Sequence, residues 1–249
     1  MGQAASTCCS GGEKQAGESL EISQKPIPYD SAEGEFKPNL SEAKYTEKVY
    51  PVGKYQGQML KGKRCGEGVC NYNAGPSYEG QWWEDRCHGQ GKFSDKDSVY
   101  TGQWKQGKKH GFGEELWKDD GTKYVGNHVM GNKHGKGKYI WQDGSSYEGQ
   151  FENDVVQGEG VLKDTDGGVY SGQFFDNMQH GRGKYVLQNV TYEGQWVETL
   201  KHGTGKETTT GVSVYEGQFN DGLRHGAGKE TDLKTGQTKQ VRYENGEKA

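Results

Sequence analysis

Aliphatic residues are scarce in this chain. Leu, Ile, Val and Phe together number 35 of 249, below the roughly 20% that an ordinary globular core uses. That shortage argues against a conventional globular enzyme. No apolar run approaches the ~18–20 residues of a transmembrane helix, so no bilayer-spanning helix is expected. Charge of one sign is missing too: Lys and Arg number 31 against 35 Asp and Glu, a net charge of −4. The chain therefore has neither the lysine-rich face of a nucleic-acid binder nor the high net charge of a wholly disordered protein. Cysteine is sparse. Cys65, Cys70 and Cys87 lack CxxC spacing, no secretory signal precedes them, and they are read as reduced structural thiols. Glycine alone is abundant, at 42 residues.

The glycines are periodic. A unit Tyr-x-Gly-x-aromatic, or a close variant, starts at Tyr55, Tyr78, Tyr100, Tyr124, Tyr147, Tyr170, Tyr192 and Tyr215, every 22–24 residues. A second unit, Gly-x-Gly, begins 11 residues after each tyrosine, from Gly66 to Gly226. The inner spacing is constant, and all drift lies between one Gly-x-Gly and the next tyrosine. A hairpin's register is fixed by its own turn, whereas a joint between hairpins tolerates an extra residue. Each repeat is therefore predicted to be a hairpin of two short strands, with turn residues such as Asp120-Gly121 and Asp143-Gly144 in the joints. The expected fold is all-β, an elongated single-layer antiparallel β-meander; sixteen strands at ~4.8 Å make a ribbon roughly 75 Å long.

Strand alternation puts the tyrosine, the glycine and the second ring of each unit on one face, with Glu79 and Gln81 on the other. The glycine gap is expected to receive a ring from the neighbouring strand. The predicted aromatic groove runs along Tyr55, Tyr78, Trp82, Tyr100, Trp104, Tyr124, Tyr147, Phe151, Tyr170, Phe174, Tyr192, Trp196, Tyr215 and Phe219. These rings replace the missing aliphatic core. The pattern lapses at Met59 and Cys65 in the first repeat, and at Asn127-His128 in the fourth, where the groove is more polar. In the fifth, Gln157 stands where other repeats carry histidine. Three domains follow: a disordered tail and linker over 1–48, the repeat rod over 49–236, and a degenerate closing strand with a C-terminal tail over 237–249. Ala32–Phe36 mimics the unit one period upstream of Tyr55, as a capping strand or by coincidence.

Tyr-Glu-Gly-Gln-Trp followed by His-Gly-x-Gly, as in Tyr78 to Gly91, closely resembles the MORN repeat family, over about residues 53–235. The resemblance implies a curved β-meander rod with an aromatic groove. It also implies scaffolding, self-association, and a place among junctional, ciliary, cytoskeletal or enzyme-accessory proteins. Phospholipid binding is a further implication of the resemblance.

The amino terminus reads as an address. Met1-Gly2-Gln3-Ala4-Ala5-Ser6 fits the N-myristoylation pattern at Gly2, and Cys8 and Cys9 stand where palmitate is added. One acyl chain binds marginally, and residues 1–48 are not basic, so the second signal falls to the cysteines.

Catalytic chemistry finds no footing. Six histidines sit in or beside Gly-x-Gly, but equivalent positions in adjacent repeats are two strands, about 9.5 Å, apart, whereas zinc ligands lie ~2.0–2.3 Å from one ion, so they are read as structural, with the imidazole hydrogen-bonded near the hairpin end. Gly-x-Gly continues as strand and meets no helix N-terminus, which excludes a phosphate loop. No catalytic residue, metal ligand or cofactor is assigned, and nucleic acid is not an expected partner. Glu79, Glu148, Glu193 and Glu216 mark a repeating solvent surface. The expectation is a non-enzymatic scaffold tethered by acyl chains to the cytoplasmic face of a membrane, with protein partners. Alternatives are a subunit of an axonemal, ciliary or cortical cytoskeletal assembly, and a phospholipid-binding module. Open sheet ends invite a homodimer.

Overall fold

The computed structural model describes residues 39–249; Gly2, Cys8, Cys9 and the Ala32–Phe36 segment lie outside the described residues. The chain forms two compact units, one ending at Asp143 and one beginning at Gly144. The first is an antiparallel meander of β1 (Lys44–Tyr50), β2 (Gly53–Leu60), β3 (Lys63–Tyr72), β4 (Ser77–Trp83), β5 (Arg86–Ser94), β6 (Ser98–Lys105), β7 (Lys108–Trp117), β8 (Lys123–Val129) and β9 (Asn132–Ile140). The second runs through β10 (Ser146–Glu152), β11 (Val155–Lys163), β12 (Val169–Phe175), β13 (Met178–Leu187), β14 (Val190–Val197), β15 (Leu200–Thr209), β16 (Ser213–Asn220), β17 (Leu223–Asp232), β18 (Thr238–Glu244) and β19 (Glu247–Lys248). Among the described residues there is no helix.

Each repeat is one hairpin. In the first, Leu60 faces Lys63 across Lys61-Gly62, whose φ angles of 50° and 80° are both positive. That is the two-residue turn whose twist matches paired strands. It recurs in the other seven repeats, for example at Glu84-Asp85, Asp176-Asn177 and Asp221-Gly222. The rigid inner spacing of the sequence is the length of this hairpin.

The Gly-x-Gly unit marks a bulge. Gly57 pairs with Gly68 and Met59 with Arg64, so Gln58 alone stands opposite three residues of β3. Gly66 takes a φ of 58° there, and a Cβ on it would lie 2.0 Å from Gln58 Oε1. The bulge turns the Glu67 N–H toward the glutamine, which accepts it at 2.9 Å. Gly57 and Gly68 serve a different need. The Tyr55 ring lies over this pair, and a Cβ on Gly68 would come within 2.5 Å of the ring. The glycine gap is thus filled by the repeat's own tyrosine and not, as the strand pattern suggested, by a ring from the next strand. The phenol is held in place because Tyr55 Oη donates to the Gln58 carbonyl at 2.8 Å.

One boundary moves. Residues 44–48, assigned to the linker from sequence, belong to β1, which pairs with β2 from Lys44↔Met59 to Tyr50↔Gly53. Here Thr46 stands against Gly57, where later strands place a glycine. A glycine is needed only beneath a tyrosine ring, so β1 lacks the motif and was invisible. At the other end β18 pairs antiparallel with β17.

Candidate functional site

The predicted groove residues are gathered into a ladder in each unit. Counting each tyrosine as position 1, a position-5 ring stands edge-on against its own tyrosine and, from the second repeat of each unit onward, against that of the repeat before as well. In the first unit Trp82 meets Tyr55 at 5.4 Å and Tyr78 at 5.0 Å, and Trp104 meets Tyr78 at 5.3 Å and Tyr100 at 5.2 Å. In the second, Tyr147 touches Phe151 and Phe174 at 5.3 and 5.0 Å. Tyr170 touches Phe174 and Trp196, each at 5.1 Å, and Tyr192 meets Trp196 and Phe219 at 5.2 and 4.8 Å. Tyr215 meets Phe219 at 5.4 Å. Edge-to-face pairs of this kind add about 0.5–1.5 kcal/mol each beyond area burial. Indole nitrogens tie repeat to repeat: Trp82, Trp104 and Trp196 donate to the carbonyls of Gly68, Gly91 and Gly183 at 3.0–3.1 Å. The eight tyrosines are at most 1% exposed and the position-5 rings at most 5%. These rings are the core.

Burial sets their acidity. Desolvation pushes the Tyr147 and Tyr192 hydroxyls up to about 12. The same cause raises Tyr55, Tyr100 and Tyr170 further.

Two features escaped the sequence reading. The first is Tyr243 of β18, which meets Tyr215 edge-on at 5.3 Å and closes the second ladder. Its unit has Lys239 and Val241 in place of tyrosine and glycine, so the motif search passed over it. The second is a set of cations at position 10 over the rings: Arg64 lies 4.2 Å from Trp82, Lys109 5.1 Å from Tyr100, Lys201 5.0 Å from Tyr192 and Arg224 4.6 Å from Tyr215. Acids at position 16 pair with several. Lys109 bonds Glu115, Lys201 bonds Glu207, and Arg224 joins Glu207 at 2.8 Å and Glu230 at 3.2 Å. Burial opposes ionisation of Glu207, but the bonds from Lys201 and Arg224 outweigh it and hold its carboxyl below the usual range. A signal existed, a cation two residues before Gly-x-Gly in five of eight repeats.

The histidine position has a structural role at the hairpin ends. His110 and His225 Nδ1 lie 3.4 and 3.5 Å from the turn N–H groups of Met130 and Asn245, one repeat onward, as acceptors. Gln157 does the same with its side-chain oxygen for Asp176 N–H at 3.1 Å. The requirement is an acceptor, which is why glutamine substitutes. Among the described residues no three His, Cys, Asp or Glu side chains gather around a common metal position.

His128 is the exception inside the ladder. It takes the position-5 place between Tyr100 at 5.2 Å and Tyr124 at 5.1 Å, is 1% exposed, and neither ring nitrogen has a well-formed hydrogen bond. Burial, then the charges of Lys109 and Lys133, drive its pKa down to about 3 against a weak opposing pull from the Gly126 backbone.

Among the described residues no helix is long and apolar enough to cross a membrane. The chain is similar to alsin from Mus musculus, 32% identical over 114 residues, and to alsin from Homo sapiens, 33% identical over the same length. The match covers 43% of this chain and 6% of each relative. The MORN repeat family model matches residues 55–76, 78–98, 100–122, 124–146, 147–169, 170–189, 192–210 and 215–232, each match opening on one of the eight tyrosines of the ladder. The chain belongs to the MORN-repeat family.

Proposed function

We propose that this protein is a non-enzymatic scaffold held at the cytoplasmic face of a membrane by acyl chains on Gly2, Cys8 and Cys9, its repeats binding protein partners of the membrane or cytoskeleton. Repeats of this family are protein- and membrane-interaction modules. The observation that carries the reading is the fate of the rings. They are consumed in holding the sheet together, so binding falls to the positions outside the ladder. Such a surface presents one chemical position per hairpin at a fixed spacing, which suits docking better than turnover. The tether supplies membrane attachment that the ladder, with its rings covered, does not. Phospholipid contact and a cytoskeletal or axonemal place are the subordinate readings.

The test is fractionation of cells expressing the wild type and Gly2→Ala, with detergent extraction of the pellet. A detergent-soluble membrane pool that turns cytosolic in the variant supports the tethered scaffold. A detergent-resistant pellet in both moves attachment to the repeats and favours the cytoskeletal reading.

A further inference from the structure

The turn edge of the second unit carries an apolar row. Positions 6 and 9 pair across each hairpin turn, as in Phe175↔Met178, Val197↔Leu200 and Asn220↔Leu223, on the face away from the rings. Position 9 is apolar in all four repeats: Val155, Met178, Leu200 and Leu223. Phe175 is 56%, Leu200 46% and Leu223 49% exposed. Each leucine reaches the next turn: Leu200 Cδ2 lies 3.7 Å from where a Cβ on Gly222 would stand, and Leu223 Cδ2 3.5 Å from that of Gly246. Asp176, Glu198 and Asp221 stand exposed at the turn tips beside the row, and no Lys or Arg occupies positions 6 to 9 in these four repeats. In the first unit position 9 is Lys63, Arg86, Lys108 or Asn132, and the apolar Leu60, Trp83, Val129 and Met130 lie on the other side of the turn.

We propose that this row is a docking strip for a polyproline II segment of a partner protein, one with an apolar residue at every third position and arginine or lysine beside it. The spacing selects the conformation. Equivalent turn positions repeat every two strands, about 9.5 Å. A polyproline II helix has three residues per turn and a rise of about 3.1 Å, so one edge of it returns every ~9.3 Å. A β-strand covers about 10 Å in three residues, but the third residue faces the opposite way. An α-helix returns to one face after seven residues, about 10.5 Å, and falls out of step by about 3 Å across the four repeats. Charge selects the flanking residues. With acids at the tips and no cation in the row, a basic ligand is attracted and an acidic one repelled. A preformed extended chain also loses little entropy on docking. Residues 1–38 are a poor occupant, because they carry three lysines against six acids. The inference rests on the scaffold reading and gives it a class of partner. It is tested in solution, apart from any membrane, so the two fail separately.

The experiment titrates the full-length chain into labelled synthetic peptides and follows fluorescence anisotropy. The first peptide is four Leu-Pro-Arg triplets. The second has the same composition with its leucines two and four residues apart, and the third is four Leu-Pro-Glu triplets. At about 50 mM salt the first is expected to bind at micromolar concentration, at least about tenfold more tightly than the second and about a hundredfold more tightly than the third. Leu200→Ser with Leu223→Ser should weaken the first peptide at least about tenfold. Position 9 tolerates a polar residue, as Asn132 shows. Asp176→Lys, Glu198→Lys and Asp221→Lys together should reverse the preference between the first and third peptides. Lysine fits that turn position, since Lys61 occupies one at φ 50° and Asp176 sits at φ 49°. Equal binding of the first two peptides to wild type overturns the proposal, whether or not the variants fold. So does an absence of peptide binding, including the case in which wild type sediments as an oligomer that the leucine substitutions dissolve.

Discussion

In the first unit the ladder holds two tryptophans, a methionine and a histidine at position 5, and in the second three phenylalanines and a tryptophan, with Tyr243 of β18 taking the next place. The tyrosines above the paired glycines are the same in both, each bonded to the carbonyl three residues on. Outside the ladder the units diverge. The first sets Arg64, Lys109 and Lys133 over its rings and lines its turns with lysine and arginine. The second lines its turns with leucine, methionine and acids, and builds a five-membered ion network from Lys201, Glu207, Arg224, Glu230 and Lys248. A repeat fold of this kind separates two tasks: the ring positions are shared because they are the core, and the rest are free to differ because they are not.

Equal ring removal in the two units tests the shared half of that comparison. Trp104→Ala and Trp196→Ala each sit between two tyrosines and donate to a glycine carbonyl. Each is expected to cost about 3–5 kcal/mol in denaturant unfolding. A marked inequality breaks the equivalence of the ladders.

Acid sharpens the difference. His128 is neutral when folded, with its pKa lowered to about 3, so its contribution is present above the unfolded value near 6.5 and is lost as pH falls below it. Between pH 7 and 5 the unit containing it is expected to lose about 2 kcal/mol. His128→Phe should flatten that limb and leave the second unit, whose ladder has no histidine, as it was. Hydrogen exchange read unit by unit makes the measurement; a variant with an unchanged acid limb contradicts it.

The smallest effect concerns the links between turns. Gln157→Ala removes the acceptor for Asp176 N–H and is expected to cost about 1 kcal/mol. Gln157→His, which restores the residue used by neighbouring repeats, should cost little. Thermal melts of both variants decide whether the position needs an acceptor or a particular side chain.

The hairpin, its fixed length and the identity of the core rings were all legible, because the constraint of a tyrosine over two glycines is written at every repeat. What could not be read lies where the constraint lapses or where three dimensions were needed. β1 has no ring above Thr46 and so no glycine, and Tyr243 follows Val241 for the same reason. The bulge at Gly66 looked like regular strand because a positive φ leaves the same letter as a close approach. The ring in the glycine gap was assigned to the wrong strand, since alternation gives the face but not the direction in which a tyrosine lies down.

The most direct measurement on the account is a double-mutant cycle on Tyr170 and Gly183. A Cβ on Gly183 would lie 2.3–2.5 Å from the Tyr170 ring, so Gly183→Ala alone is expected to cost about 2–3 kcal/mol and Tyr170→Ala about 3–5. If the ring over the glycine pair is the core, the double variant is hardly worse than Tyr170→Ala alone, a coupling of about 2 kcal/mol. Costs that simply add would contradict it.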